Sequence, residues 1–448
     1  MKEIYIECAG AGKTYGIAQK IANITNECLN GKKVYAITYT NYAVSQIQNE
    51  LKKTIYEIPE NVIIKTVHGF LLENIIYPYS RFTKGEPINT CSIEKLPKND
   101  IWKAKRKKAL KNEKVIHSSD VSQFARSVLI ALKSDNNTIK KKKEIALEYF
   151  VSDIYCLFVD EAQDMDKYFF ELMYHIIRKI EHFYFVGDPY QALWTTDKYR
   201  EFSENVAKIE GVSLILNLVS RRIPTCIIPL CNNILPDENK LDTINEVPGV
   251  VAYTLLSNLC DETIKKLTSS NVFSYIKYKT DVFITANEQT SLTPEFTTIL
   301  AERYPTFEIG ALRRAVINAI CSKGLDTYLK RRKISLSDQA YRELADQFQN
   351  ENQSGIYVEA IHRIKGLEND TAYFIVCNSL LEILLGFKND FNNETNLLYV
   401  ALTRTKRRLL LIIDDDNTTR KNIEKRKINI DTRMIELGIN RAILSDWF

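Results

Sequence analysis

Short apolar runs alternate with stretches of helical period along most of the chain. Ile4-Tyr5-Ile6 is the first run and leads into a glycine-bearing turn. From Thr14 onward, Ile17, Ile21, Ile24 and Cys28 recur at helical spacing until Gly31. Val34 to Tyr39 predicts the next strand, and Val44, Ile47 and Leu51 mark the helix after it. Cys156 to Val159 and Phe183 to Val186 read as two further buried strands, each ending at polar residues. After about residue 212 a second set follows: Val282 to Thr285, Tyr357 to Ile361, Tyr373 to Val376 and Leu409 to Ile413. Strands alternating with helices predict an α/β fold built on doubly wound parallel sheets.

Two segments break this rhythm. Residues 76–150 are basic and helical in pattern, with WKAKRKKALK and the run Lys140 to Lys143, and read as an insertion packed on the first domain. Residues 306–352 (ALRRAVINAI, DTYLKRRKI) are helical and charged and interrupt the second sheet. The expected division is therefore 1–75 with 151–211, the insertion 76–150, 212–305 with 353–448, and the insertion 306–352.

At 448 residues the chain is long enough for two or more domains, and 45% apolar with 26% charged residues is ordinary for a globular protein. A net charge of +5 fits a nucleic-acid partner without demanding one. Nine cysteines occur without a CxxC pair, and the closest two, Cys226 and Cys231, have no His or Cys nearby to complete a zinc set. Buried thiols in a reducing compartment are expected. The N-terminus carries no secretion-signal pattern, and no apolar run approaches the roughly 20 residues of a membrane span. A soluble, cytoplasmic protein with no membrane partner is expected.

The chemistry concentrates in two short stretches. CAGAGKT places Ala9, Gly10, Ala11, Gly12, Lys13 and Thr14 between a strand and a helix. Glycines let the backbone wrap a phosphate with its N–H groups. Lys13 supplies a point charge for β- and γ-phosphates, and the Thr14 hydroxyl can ligate Mg²⁺. Glu7 stands where the usual pattern has its first glycine. LFVDEAQD ends another apolar strand, so Asp160 matches a second Mg²⁺ ligand and Glu161 a residue that polarises the attacking water.

Taken in order, CAGAGKT (8–14), ITYTNYAVSQI (37–47), TVHGF (66–70), VDEAQD (159–164), VGDPYQALW (186–194), SRRIP (220–224), AIHRIKGLE (360–368) and LYVALTRT (398–405) resemble the motifs of superfamily 1 helicases of the UvrD/Rep/PcrA type. The resemblance covers most of the chain. It implies two RecA-like domains, with 76–150 as a 1B insertion and 306–352 as a reduced 2B insertion, far shorter than that of UvrD or Rep. It also implies an ATPase that moves 3′→5′ on single-stranded DNA. By resemblance Gln191 senses the γ-phosphate from the first domain, and Arg222 and Arg404 reach it from the second as arginine fingers. Arg221, beside Arg222, is the alternative finger. Glu368 binds the ribose or lines the cleft. The same resemblance sets Tyr39, Asn41, His68, Trp194 and His362 along a single strand or a single-strand/duplex junction. Core packing for Tyr39 and Trp194, and buried hydrogen-bonded rings for His68 and His362, are the alternatives.

Three departures bear on specificity. The segment that carries the family's adenine-reading glutamine has no room before the first strand when the chain starts at Met1. The base-stacking aromatic of the family aligns with Arg221, which would stack through its guanidinium and select bases less strictly. Thr195-Thr196-Asp197 replaces the Trp-Arg pair that usually follows the aromatic of VGDPYQALW. The first two imply ATP with other NTPs as substrates, the third changes one stacking wall of the DNA track, and Thr14 with Asp160 implies Mg²⁺ as cofactor. The compact size resembles helicase subunits of anti-phage systems such as Gabija, whose partner is an OLD-type nuclease with a TOPRIM domain. That leaves a second reading open, an NTPase that senses DNA or nucleotides and regulates a nuclease.

Overall fold

Strand β1 (Lys2–Glu7) is followed by helix α1 (Lys13–Glu27), in which Ile17, Ile21 and Ile24 are buried at the predicted spacing. The computed structural model describes residues 1–27, 31–97, 99–193, 198–267, 273–277, 283–284, 356–388, 393–415, 419, 421–422 and 429–448. The reduced insertion expected over 306–352 lies outside the described residues, as does Trp194.

The described chain divides into two compact units, Met1–Val247 with Asn389–Thr403, and Pro248–Lys388 with Arg404–Phe448. In the first, β2 (Lys33–Thr38) leads to helix α2 (Asn41–Thr54), which buries Ile47 and Leu51. Then come β3 (Val62–Thr66), a short parallel pair β4 (Thr90–Ser92) and β5 (Val115–His117), and β6 (Ile154–Val159), β7 (His182–Gly187) and β8 (Ser213–Asn217). All six strands of the main sheet are parallel, in the order β3-β2-β6-β7-β1-β8. Two apolar cores cover its faces. One packs α1 and α2 through Ile17, Ile21, Ile47 and Leu51; the other joins Ile37, Leu157 and Phe185 to Phe70, Val121, Leu129 and Phe150. The second core takes much of its bulk from 76–150: the helices Val121–Leu129 and Asn137–Ser152 contribute Val121, Val128, Leu129, Leu147 and Phe150, and Tyr77 and Tyr79 of the helix Tyr77–Lys84 pack partly buried against it.

The lysine run of that insertion is only partly a solvated face. Lys143 is fully buried, with its ammonium donating to the Asp135 carboxylate at 2.6 Å and the Ile130 carbonyl at 3.2 Å. On the WKAKRKKALK helix, Arg106 pairs with Glu94 and Lys107 with Asp120.

Residues 212–247, expected in the second domain, lie in the first unit. The reason is β8, which pairs in register with β1 from Glu3↔Ser213 to Glu7↔Asn217. Beyond it, β9 (Val219–Ser220) pairs with β10 (Asp242–Thr243).

The second unit has its own parallel six-stranded sheet. Its strands are β11 (Val250–Leu255), β12 (Phe273–Ile276), β15 (Glu359–Ala360), β16 (Asn369–Val376), β17 (Thr405–Ile413) and β18 (Asn440–Arg441), in the order β15-β12-β16-β17-β11-β18. A short pair, β13 (Phe283–Ile284) with β14 (Ile356–Tyr357), accompanies it. The expected two-sheet α/β architecture is thus observed. Among the described residues no helix is long and apolar enough to cross a membrane.

Candidate functional site

In a parallel sheet, ligands bind beyond the carboxyl ends of the strands. Strand order therefore sets the order of the loops along that edge. Thr66 at the end of β3 and Thr38 at the end of β2 are partners in register, and they precede His68 and Tyr39. Next come Asp160 and Glu161 after β6, Asp188 to Gln191 after β7, the glycine loop after β1, and Ser220 to Arg222 after β8. Residues scattered over more than two hundred positions become one line.

The glycine loop is held from both sides. Gly10 and Gly12 have φ of +75° and +100°, the left-handed region that glycine enters without a steric penalty. The Ser220 hydroxyl donates to the Ala9 carbonyl at 2.9 Å and accepts from the Arg222 and Ile223 amides at 3.2 and 3.0 Å. The Arg221 amide donates to the Gly10 carbonyl at 2.9 Å. A Cβ on Gly10 would meet Arg222 Cβ at 2.6 Å and Ser220 Oγ at 2.7 Å, and one on Gly12 would lie 4.0 Å from Arg221 Cδ. Arg221 and Arg222 thus both lie against the loop, and they belong to the first unit, not the second. Arg221 is exposed and Arg222 half-buried. Glu7, in place of a glycine, is buried and accepts from Asn217 Nδ2 at 3.2 Å, tying the ends of β1 and β8.

Lys13 is buried, and its ammonium donates to the carbonyls of Cys8 and Glu7 at 3.1 and 3.3 Å. Its charge acts on Asp160 and Asp188, both 2% exposed or less. Burial pushes the Asp160 carboxyl well above the usual range, the Glu161 charge adds to this, and Lys13 opposes it. Burial likewise raises Asp188, again against Lys13. Buried carboxyl groups facing one ammonium form a donor set that favours a hard dication, and Thr14 stands half-buried at the start of α1. Thr14 and Asp160 would hold Mg²⁺ there, which would neutralise charge on the phosphates.

Glu161 adopts φ 49°, ψ 40°, a left-handed conformation that costs a non-glycine residue energy and tends to occur at functional turns. The Asp160 amide donates to the Ile37 carbonyl at 2.8 Å, and the Asp160 carboxylate accepts from the Glu161 amide at 2.9 Å. Gln163 joins this turn to the next strand: its Nε2 donates to the Glu161 carboxylate and its Oε1 accepts from the Asp188 amide at 2.9 Å. A Cβ on Gly187 would strike that Oε1 at 2.6 Å, which explains the glycine. Gln191 is buried on the short 3₁₀ turn Pro189–Gln191.

Tyr399 adds a connection that sequence reasoning passed over. It is fully buried on the helix Asn393–Leu402, its hydroxyl accepts from the Ala9 amide at 3.1 Å, and it donates to the Asp188 carboxylate at 3.2 Å. That bond opposes the upward push of burial on Asp188. Tyr399→Phe keeps the ring, which meets Tyr190 edge-on at 5.9 Å, and removes only the hydroxyl. The buried Ala9 amide then loses its hydroxyl partner and the Asp188 carboxylate one of its two donors, so the variant should lose about 1–3 kcal/mol of stability. Urea unfolding checks this; an unchanged midpoint would sink the assignment. Tyr399, Ser220, Gln163 and Asp188 all sit inside motifs quoted above, and that membership was the only signal available for them.

The expected nucleic-acid residues separate. Tyr39 (41% exposed), Asn41 and His68 are exposed on the first unit, past the ends of two neighbouring strands, so they are not core residues. His362 is half-buried on a short turn of the second unit. Of the remaining second-unit residues, Arg404 is 2% exposed at the head of β17, and Glu368 is exposed and paired with Lys406 at 2.8 Å. Among the described residues no group of three or more His, Cys, Asp or Glu could hold a metal ion.

A family profile described as an AAA domain matches residues 4–196, and that of the UvrD-like helicase C-terminal domain matches residues 196–416. The chain is 27% identical over 188 residues to the Gabija protein GajB of Bacillus cereus (strain VD045), covering 42% of this chain and 36% of that protein. The match thus spans little more than a third of that relative's length. Among solved structures, the complex of Arterivirus nonstructural protein 10 (helicase) with DNA aligns over 94% of this chain and 63% of its own, at 11% identity and a TM-score of 0.36.

Proposed function

Because the chain belongs to the UvrD-like superfamily 1 helicases, we propose that it is a DNA-stimulated NTPase that translocates 3′→5′ on single-stranded DNA. The observation that carries this reading is the line of loops along one sheet edge. Exposed Tyr39, Asn41 and His68 stand at one end, the acids in the middle, and the glycine loop with Arg222 at the other. Lys13, Asp160, Glu161, Gln191 and Arg222 are the catalytic set on the first unit, with Arg404 as the second finger and Glu368 at the ribose. Lys13 and Arg222 stabilise charge that spreads over the γ-oxygens during transfer, and Gln191 orients that end of the nucleotide. Thr14 and Asp160 bind Mg²⁺. Tyr39, with Trp194, stacks on bases, and His68, Asn41 and His362 follow the strand. Arg221, exposed beside Gly12, stacks on the nucleobase with little selectivity, so GTP, CTP and UTP serve beside ATP.

The likeness to GajB supports a role in anti-phage defence beside a nuclease of the OLD/TOPRIM type. It also favours a second reading, in which the same site senses DNA or nucleotide and regulates that nuclease without processive unwinding. Hydrolysis of all four NTPs, with and without single-stranded DNA, tests the proposal. DNA should raise turnover by ~10-fold or more, the scale of a 1–3 kcal/mol coupling. No stimulation would end the motor reading. Efficient hydrolysis of ATP alone would end the relaxed base preference.

A further inference from the structure

On the first unit, away from the glycine loop, a groove of about 860 Å³ runs between the helices Val121–Leu129, Lys167–Ile177 and Lys198–Val206. Its floor is apolar: Ile130, Leu132, Phe170, Tyr174, Phe202 and Ile209. Five Lys or Arg line it against two Glu. The glutamates are already engaged, Glu171 by Arg126 and Glu201 by Lys198. Lys133, Lys167 and Lys208 remain exposed on the rim, with no acidic partner among the described residues.

From this charge pattern and floor we propose that the groove takes an acidic amphipathic helix of a partner protein. Leucine-like side chains would fill the floor, and carboxylates would meet Lys133, Lys167 and Lys208. Nucleic acid fits the floor poorly. Phe170 and Phe202 stack on each other at 4.7 Å and are 5% and 6% exposed, so neither offers a face to a base. The site also has a route to the nucleotide edge. The helix Lys167–Ile177 is capped by Asp166, just past the VDEAQD turn. Phe170 stacks on Tyr199 at 6.1 Å, and the Tyr199 hydroxyl donates to the Tyr5 carbonyl in β1 at 2.7 Å.

The test uses the full chain and a fluorescein-labelled helical peptide, with leucine at i, i+3, i+4 and i+7 spacing and glutamate on the other face. Saturable binding is expected, weakened by ~10-fold or more in Lys133→Glu/Lys167→Glu/Lys208→Glu and by added salt. Leu132→Asp should weaken it as well, a peptide with serine for leucine should not bind, and oligo-dT should not displace the peptide. Binding unchanged in both variants would overturn the proposal. Displacement by oligo-dT, with oligo-dT affinity lost in the triple variant, would overturn it in favour of a nucleic-acid surface. The readout is binding alone, so the outcome does not depend on the NTPase reading.

Discussion

Gly10→Ala is expected to lower NTP turnover by at least ~10²-fold in a protein that still folds. The added methyl group meets Arg222 Cβ at 2.6 Å and Ser220 Oγ at 2.7 Å, distances that real Cβ atoms do not show. Neither neighbour can swing away cheaply. Arg222 Cβ is fixed to the backbone, and Ser220 Oγ is committed to the Ala9 carbonyl and to two amides. The loop and the 220–222 segment must therefore part, which carries Arg222 off the phosphate end. The φ of +75° adds ~1–2 kcal/mol for any L side chain. Together these should cost about 1–3 kcal/mol of stability, read by urea unfolding. Gly16→Ala is the control: nothing lies within 4 Å of its Cβ, and it sits inside α1. That variant should gain ~0.5–1 kcal/mol and keep its turnover. Wild-type turnover in Gly10→Ala would refute the placement of Arg222 against the loop.

How much of this was legible beforehand depended on how each residue acts. β2, β6 and β7 announce themselves because each is an apolar run buried on both faces, and β1 because its short run Ile4-Tyr5-Ile6 leads straight into the glycine loop. β8 (SLILN) lies at the sheet edge, with Ser213 and Leu216 exposed, so its pattern is weak. Through β8 the residues 212–247, Arg222 among them, join the first compact unit, whereas the apolar pattern alone sets a boundary at 212. Lys13, Asp160 and Glu161 were legible because spacing and strand ends place them. Tyr399 was not, because a hydroxyl in the apolar run LLYVAL looks like core, and its partners lie 390 and 211 positions away. Gln163 likewise acts by bridging two loops, which only the parallel order of β6 and β7 brings together. The groove left no sequence signal, since its lysines come from three separate helices and turns.

Lys13→Ala is expected to reduce turnover by about 10²–10³-fold, the usual cost of removing one preorganised donor to transition-state charge. Most of the affinity for single-stranded DNA should remain, because Tyr39, Asn41 and His68 stand beyond β2 and β3, at the far end of the sheet edge from β1. The ammonium now donates to two carbonyls at the end of β1 and the start of the loop, Glu7 and Cys8, which a phosphate would displace. Its loss has a second consequence. Lys13 is the positive charge that opposes the upward push of burial on Asp160 and Asp188, and without it both carboxyl groups rise further. Lys13→Met separates charge from packing, since it keeps an apolar stem of similar length in the buried channel. Both variants should fold, and both should show the same reduction of about 10²–10³-fold in NTP turnover with or without DNA. Turnover retained in Lys13→Met would mean that the buried stem shapes the loop and that the ammonium does not act on the phosphates.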